Sequence, residues 1–121
     1  MTPSACIASA ILILDSIISG DPAEKTLTNW ARKSRFAGSS DRSVIRDIVF
    51  DCLRSLNSFG TLGGDKTGRG VIIGYLLSSN REPNLLFNGV GYGPSELTPL
   101  EKSHIASIQN GSSDLEVLDF P

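Results

Sequence analysis

The residues with the clearest chemistry are five basic side chains within a fifteen-residue stretch: Arg32, Lys33, Arg35, Arg42 and Arg46. Arginine suits phosphate because its planar guanidinium can donate two hydrogen bonds to one phosphate group. The first three also fall at the end of a predicted helix, where the helix dipole favours cations. The cluster therefore predicts a phosphate-contacting surface, with stabilisation of the helix end as the alternative.

The charge distribution also favours a local anion-binding surface, although the net charge is −2 and the isoelectric point is near 5.3. Residues 25–69 contain nine basic and four acidic residues, whereas the remainder contains two basic and nine acidic residues. Such asymmetry is typical of a localised anion-binding surface. The alternative is a solvated surface whose arginines form ordinary ion pairs. The candidate pairs are Arg46 with Asp47 and Arg54 with Asp51.

No arrangement of residues in the sequence predicts catalysis or a structural metal. The chain has two cysteines and one histidine, without a Cys-x-x-Cys motif or a Cys/His cluster, so a zinc site is not expected. Cys6 and Cys52 lie among apolar residues of predicted helices, which is typical of reduced core cysteines in a cytosolic protein. No nucleophile or acid-base constellation accompanies His104, which we interpret as an ordinary surface or helix residue.

The glycine-rich stretch 61–70 resembles a phosphate-binding loop only superficially. The nucleotide-binding pattern requires Lys followed by Ser or Thr, where this chain has Arg69 and Gly70. The stretch also follows a predicted helix rather than a buried strand, which argues against nucleotide hydrolysis. Two interpretations remain. One is a linker between two helical halves, and the other is a phosphate site formed by Lys66, Arg69 and the free amides of the next helix.

The element that positions much of the basic cluster is an amphipathic helix predicted from Asp41 to Leu56, and the helical segment is expected to continue, or to bend, from there to Gly60. Its apolar residues follow the spacing of a single helix face: Ile45, Ile48, Val49, Cys52, Leu53 and Leu56. Ser39 or Ser40 is the expected cap, and the first-turn acid complements the helix dipole. The arginines lie off the apolar face, so they are expected to face solvent or a partner.

Two further helices are predicted before this one. The first runs from Pro3 to Ser19 with Thr2 as its cap. Its apolar run lacks a preceding Lys or Arg and is too short to span a bilayer, so we interpret it as a buried helix. The second ends near Ser34 and is expected to begin with a capping box whose cap is Asp21. Its apolar side is expected to consist of Leu27, Trp30 and Ala31.

The second half of the chain predicts shorter helices. One covers residues 69–79, and residues 84–87 form a helical turn. The last begins at a capping box of Thr98 and Glu101 and ends near residue 109. Its inward residues are expected to be Leu100, Ile105 and Ile108, and Tyr92 is expected to pack in the preceding loop. Without a convincing strand, the whole pattern predicts an all-α bundle of five to six helices.

Several short motifs carry a family resemblance. The most specific are Phe36-Ala37-Gly38-Ser39, Asp41-Arg42, Ile45-Arg46-Asp47, Val49-Phe50-Asp51 and Leu53-Arg54. They are joined by Asp21-Pro22-Ala23-Glu24, Asn29-Trp30-Ala31-Arg32, Gly68-Arg69-Gly70 and Leu97-Thr98-Pro99. Together they resemble the N-terminal domain of the Sun/Fmu family of ribosomal RNA cytosine-5 methyltransferases, of the alphaproteobacterial type. That domain is related to the transcription antitermination factor NusB.

The resemblance implies a NusB-like bundle of two packed helical groups. Residues 1–121 would form one RNA-binding domain, and residues 112–121 would begin a linker to a catalytic domain that is not in this sequence. The parent would be a bacterial, cytoplasmic protein of ribosomal RNA processing. Its catalytic cysteines and S-adenosylmethionine belong to the missing domain, so this chain is expected to be non-catalytic and to bind no cofactor.

The resemblance also implies the partners, which are ribosomal RNA and the catalytic methyltransferase domain of the same protein, with no membrane or DNA. The expected RNA-binding residues are Arg32, Lys33, Arg35, Arg42, Arg46, Lys66 and Arg69. Few exposed aromatic residues are available to stack on bases, so recognition is expected to use the RNA backbone and shape. The alternative is a protein-interaction module that docks on the catalytic domain or on an antitermination-type partner.

Overall fold

Seven helices form the secondary structure of residues 2–34 and 37–110, the part of the chain that the computed structural model describes. They are α1 (Pro3–Ile18), α2 (Ala23–Lys33), α3 (Ser39–Arg54), α4 (Leu56–Gly63), α5 (Gly68–Ser78), α6 (Pro83–Leu86) and α7 (Pro99–Asn110). No strand occurs in these residues, which confirms the all-α prediction. One helix more than expected is present because the third predicted helix breaks at Ser55, whose backbone leaves the helical region (φ −129°, ψ 36°).

The first helix, α1, lies at the centre of the fold and contacts α2, α3, α5 and α6. Its residues Ala10 and Leu14 have no exposed surface, and Ile7 has almost none. A helix that is apolar on most sides packs against several neighbours. The prediction that the N-terminal apolar run forms a buried helix is therefore confirmed. In the described ranges, no helix combines the length and the apolar character needed to cross a membrane.

Two helix starts follow the predicted local chemistry. Thr2 caps α1, since its Oγ1 accepts a hydrogen bond from the amide of Ala5 at 3.1 Å. The capping box of α7 is also confirmed. The amide of Thr98 donates to Glu101 Oε1 at 2.8 Å, and the amide of Glu101 donates to Thr98 Oγ1 at 3.1 Å.

Two other predicted caps were wrong. α2 begins at Ala23 with Pro22 in the cap position, and Asp21 makes no capping bond. The carbonyl oxygen of Pro22 accepts hydrogen bonds from the amide and the hydroxyl of Thr26. The first helical residue is therefore Ala23, one residue later than expected. α3 is capped by Gly38 rather than by a serine. The Gly38 amide donates to Asp41 Oδ2 at 3.3 Å.

The glycine-rich stretch forms a tight hairpin between α4 and α5 rather than a linker between helical halves. Residues 64–67 make the turn, and Gly64 ends α4 in the left-handed conformation (φ 89°). The two helix backbones touch, because a Cβ at Gly63 would lie 1.8 Å from the carbonyl oxygen of Gly70. This contact fixes α5 against α4.

Two predicted burials near the C-terminal helix were also wrong. Leu100 is 83% exposed and Tyr92 is 89% exposed. Ile105 is buried as expected, and Ile108 is half-buried. Pro99 and Leu100 begin α7 at the edge of the fold, where α7 contacts mainly α4, so the first turn of the helix has little to pack against.

Candidate nucleic-acid interface

Three of the predicted RNA-binding arginines line one cavity between α2 and the start of α3. This cavity, here called the arginine groove, has a volume of about 570 Å³. Its lining residues are Leu27, Thr28, Trp30, Ala31, Arg32, Ser39, Arg42, Ser43 and Arg46. The groove thus combines three guanidinium groups with hydroxyl groups, and no carboxylate is among its lining residues.

The helices explain why these arginines meet. Arg42 and Arg46 are four residues apart on α3, so they lie one above the other on the same helix face. Arg32 lies in the last turn of α2. Both helices pack on α1, which fixes the end of one beside the start of the other. Within the described part of the chain, Arg32 and Arg42 are exposed and form no ion pair.

Arg46 has two partners inside the protein. One of its guanidinium nitrogens lies 3.8 Å from Glu24 Oε1 on α2, and the guanidinium carbon lies 5.1 Å from the centroid of the Phe50 ring. The predicted pairing with Asp47 is therefore replaced by a pair between helices. Both side chains of the Arg46–Glu24 pair are more than half exposed, so the pair contributes little to stability and leaves the guanidinium accessible to phosphate.

Lys33 lies on the other side of α2, in a second cavity of about 360 Å³ here called the lysine groove. Its lining residues are Leu12, Ile13, Ser16, Asp21, Pro22, Lys25, Thr26, Asn29, Trp30 and Lys33. Lys25 joins Lys33 in this groove, and Asp21 places one carboxylate there. The basic surface therefore continues across α2, with Trp30 in the lining of both grooves.

Arg69 lies apart from both grooves and is occupied within the fold. Its Nε and one terminal nitrogen donate to the two carboxylate oxygens of Glu101 at 2.7 and 2.9 Å. It also donates to the carbonyls of Ser95 and Glu96, and its guanidinium carbon lies 4.7 Å from the centroid of the Phe87 ring. The guanidinium of Arg69 is therefore engaged in contacts that stabilise the fold, and it lines neither groove.

The phosphate site considered at the start of α5 is filled by the protein itself. Asp15 of α1 accepts a hydrogen bond from the amide of Gly68 at 2.8 Å, and Thr67 Oγ1 accepts from the amide of Gly70 at 3.2 Å. A carboxylate thus occupies the place where an anion would meet the helix N-terminus. Lys66 is exposed on the adjacent turn and does not line the arginine groove.

Two basic residues of the sequence analysis, Arg54 and Arg35, have not yet been placed. Arg54 pairs with Asp51 on the same helix, as the ion-pair alternative anticipated. Arg35, like residues 112–121, lies outside the described residues. Of the seven predicted residues, the structure brings Arg32, Arg42 and Arg46 together, with Lys33 on the opposite flank of α2.

The two cysteines are buried, and the histidine contacts a backbone carbonyl. Both thiols are free and buried, and burial raises the pKa of Cys52 to about 12. Burial also raises the pKa of Cys6. His104 is half-buried, with Nε2 2.8 Å from the carbonyl oxygen of Leu62. In the described residues, no group of three or more His, Cys, Asp or Glu side chains is placed to hold a metal ion.

Sequence reasoning missed three residues of the two grooves. Lys25 lies eight residues before Lys33, a helical spacing that places both on the same side of α2 and could have revealed the lysine groove. Ser43 faces the arginine groove one residue after Arg42. Trp30 was assigned only to the apolar side of its helix, and no signal in its spacing distinguishes a core indole from a groove-lining one.

Comparison of this chain with protein-family models, curated proteins and solved structures found no match.

Proposed function

We propose that this chain is a non-catalytic RNA-binding domain that holds RNA phosphates in the arginine groove. The observation that carries the proposal is the convergence of Arg32, Arg42 and Arg46 on one cavity without a lining carboxylate. Guanidinium groups that line one groove can contact neighbouring phosphates of a bound strand, and binding of this kind positions RNA without reading its sequence. The nearby hydroxyl groups of Ser39 and Ser43 add neutral hydrogen-bond donors.

The family resemblance extends this proposal to the parent protein. On that basis the chain is a NusB-like domain of two packed helical groups. It belongs to a bacterial, cytoplasmic ribosomal RNA cytosine-5 methyltransferase, and the ligand is ribosomal RNA. S-adenosylmethionine and the chemistry of methyl transfer belong to the separate catalytic domain. The all-helical architecture and the position of the basic residues are compatible with this assignment, which rests on the sequence motifs.

The test is RNA binding by the purified chain, with fragments of ribosomal RNA at about 50 mM and about 200 mM salt. Contact with three phosphates predicts a slope of log affinity against log salt of about −2, because phosphate-bound counterions are released. The variant Arg42→Glu, Arg46→Glu is expected to bind at least about ten-fold more weakly at low salt and to lose most of this slope. Residue 42 lies in the first turn of α3, where an acid suits the helix dipole, and both substituted residues are exposed, so the variant is expected to fold.

The control is Arg81→Glu, Lys102→Glu, which changes the net charge equally at two exposed residues outside the grooves. We expect this control to keep most of the affinity and most of the salt slope. Absence of salt-sensitive binding by the unchanged chain would contradict the proposal. An equal loss in both double variants would also contradict it, since binding would then follow net charge rather than the arginine groove.

A second candidate function, protein docking, is favoured by a separate observation. Leu85, Val90 and Tyr92 are 70–89% exposed within one short segment of the chain. Exposed apolar side chains close together are typical of protein-interaction surfaces. The partner would be the catalytic domain or an antitermination-type protein. Binding of such a protein partner that survives high salt, and that is lost in the variant Leu85→Ser, Tyr92→Ser, would favour this function over RNA binding.

A further inference from the structure

Trp30 lies between the two basic grooves. It is half-buried, packs against the hydrophobic core, and contributes to the lining of both cavities. The arginines of α3 lie on one side of it, and Lys25 and Lys33 lie on the other. An aromatic ring flanked by cations on both sides can contact a base while the cations hold the phosphates before and after it.

The dimensions of the grooves suit single nucleotides. Volumes of about 570 and 360 Å³ fall in the range of about 300–1,000 Å³ that is typical of small-ligand sites. A stacked duplex offers phosphates and sugar hydroxyls on its outside, but its bases are not free to lie on an aromatic ring. A groove on each side of an indole is therefore better suited to an unpaired strand.

We propose that the ligand is single-stranded RNA, whose backbone runs from the arginine groove across α2 to the lysine groove with one base against Trp30. The inference rests on the proposed function and defines the form of RNA that the same surface takes. It replaces the expectation that recognition uses only backbone and shape. Asp21 lies at the lysine end of this path, whereas Glu24 pairs with Arg46 at the arginine end. One carboxylate thus stands against two lysines at one end and against three arginines at the other, so the charge is lower at the lysine end.

The chain contains a single tryptophan, so its tryptophan fluorescence reports on the surroundings of Trp30 alone. The experiment follows the fluorescence of Trp30 while the 121-residue chain is titrated with a short single-stranded RNA, and then with the same RNA annealed to its complement. We expect the single strand to quench the indole in proportion to binding measured independently by anisotropy. We expect the duplex to bind more weakly and to cause little quenching.

Two substitutions separate the aromatic ring from its packing. Trp30→Phe keeps an aromatic ring and is expected to bind the single strand within about three-fold of the unchanged chain. Trp30→Leu keeps apolar volume for the core but removes the ring. It is expected to bind the single strand about ten-fold more weakly, equivalent to ~1.4 kcal/mol, with little effect on the duplex. Helical circular dichroism and thermal unfolding establish that both variants are folded before binding is compared.

The lysine side of the path has its own test. Lys25→Gln, Lys33→Gln is expected to lower the magnitude of the salt slope for single-stranded RNA by about 1.4. The matched control, Arg81→Gln, Lys102→Gln, removes the same charge from two exposed residues outside both grooves and is expected to leave the slope nearly unchanged.

The outcomes separate this inference from the proposed function. Equal binding of single strand and duplex, without quenching of Trp30, would overturn the single-strand path while leaving salt-sensitive phosphate binding in place. Absence of salt-sensitive binding to either RNA would overturn both. If unchanged binding by folded Trp30→Leu accompanies strong quenching in the unchanged chain, the indole is near the RNA without stacking on it, and the inference also fails.

Discussion

The guanidinium of Arg69 ties together three segments that are distant in sequence. It joins α5 to α7 through Glu101, and it joins both to the loop before α7 through backbone carbonyls and the Phe87 ring. About a fifth of each charged side chain is exposed, so the pair is shielded from much of the solvent. All of this geometry depends on tertiary contacts, which explains why the sequence suggested a phosphate contact for Arg69 and did not indicate its bonds to Glu101.

The carboxylate of Glu101 predicts a measurable pH dependence of stability. The hydrogen bonds from Arg69 lower the pKa of Glu101 below its ordinary value. A carboxyl whose folded pKa is depressed stabilises the native state above the ordinary value, near 4.3, and loses that contribution as pH falls through the folded pKa. Glu101→Gln is therefore expected to lower the free energy of unfolding by about 1–3 kcal/mol at pH 7, with a smaller difference at acidic pH.

Denaturant unfolding at pH 7 and at several values down to about pH 3 measures this difference. Glu82→Gln, at an exposed acid with only a neighbouring amide as partner, is the control and is expected to change stability little at any of these values. A destabilisation by Glu101→Gln that stays constant across the whole pH range would contradict this prediction. It would mean that the glutamine destabilises the fold for a reason other than the lost negative charge.

The two buried thiols predict unreactive cysteines in the native state. Cys52 has no exposed surface and Cys6 is 5% exposed. Since burial raises the pKa of Cys52 to about 12, its thiolate population at pH 8 is on the order of 10³ lower than that of a free cysteine. We therefore expect Cys6 and Cys52 to be alkylated only when the protein unfolds. Ser103→Cys, exposed on α7, supplies the control, and native Cys52 reacting at a comparable rate would contradict the buried placement.

At the scale of elements, the hairpin of α4 and α5 depends on direct backbone contact. A Cβ at Gly74 would lie 1.9 Å from the carbonyl oxygen of Phe59, a distance that no rotamer change can relieve. By contrast, a Cβ at Gly60 would lie 2.9 Å from Cγ of Lys66 and 3.4 Å from backbone atoms of Asp65 and Lys66, in the exposed turn between the helices. Two glycines on the facing helices of one hairpin therefore differ in their tolerance to substitution.

Gly74→Ala is expected to destabilise the chain by ~3 kcal/mol or more, because the two helices must separate to admit the methyl group. Gly60→Ala is expected to destabilise the chain much less, because the turn that carries Lys66 must shift only slightly and better helix propensity of up to ~1 kcal/mol offsets part of that cost. Thermal and denaturant unfolding of both variants test this contrast. Similar losses at the two positions would mean that the close contact at Gly74 is not what holds the hairpin.

Signals that act within one turn predicted the elements well. Thr2 and the pair of Thr98 and Glu101 form the expected caps because their partners are only three residues away. The Asp21 cap failed even at this range, since Pro22 and Thr26 close the start of α2 without it. Local sequence therefore identifies helices more reliably than it identifies which of several polar residues caps them.

Burial and site membership depend on which elements meet, and here the sequence was less informative. Leu100 has the spacing of an inward residue but lies at the uncovered start of α7. The arginines of α3 were predicted to lie off its apolar face, and they do. Their meeting with Arg32 requires both helices to pack on α1, which no periodicity predicts.

At the scale of the whole molecule, the position of charge decides more than its sum. The chain carries a net charge of −2, yet the arginine groove has no carboxylate among its lining residues. Charges separated by more than about 8–10 Å are largely screened at physiological salt. A phosphate in the groove therefore responds mainly to nearby side chains, of which Glu24 is the acid that pairs with a groove arginine.

Removing the charge of Glu24 is expected to strengthen RNA binding, because phosphate no longer competes with a carboxylate for Arg46. The pair is exposed, so the expected gain for Glu24→Gln is modest, about two- to three-fold at low salt, and it should shrink as salt is raised. Glu82→Gln changes the net charge identically from the turn before α6, and it is expected to leave affinity within about 1.5-fold. Anisotropy titrations of both variants with the same RNA measure and compare their affinities. Equal tightening would mean that RNA responds to the overall charge of the molecule, whereas tightening by Glu24→Gln alone would place the phosphate beside Arg46.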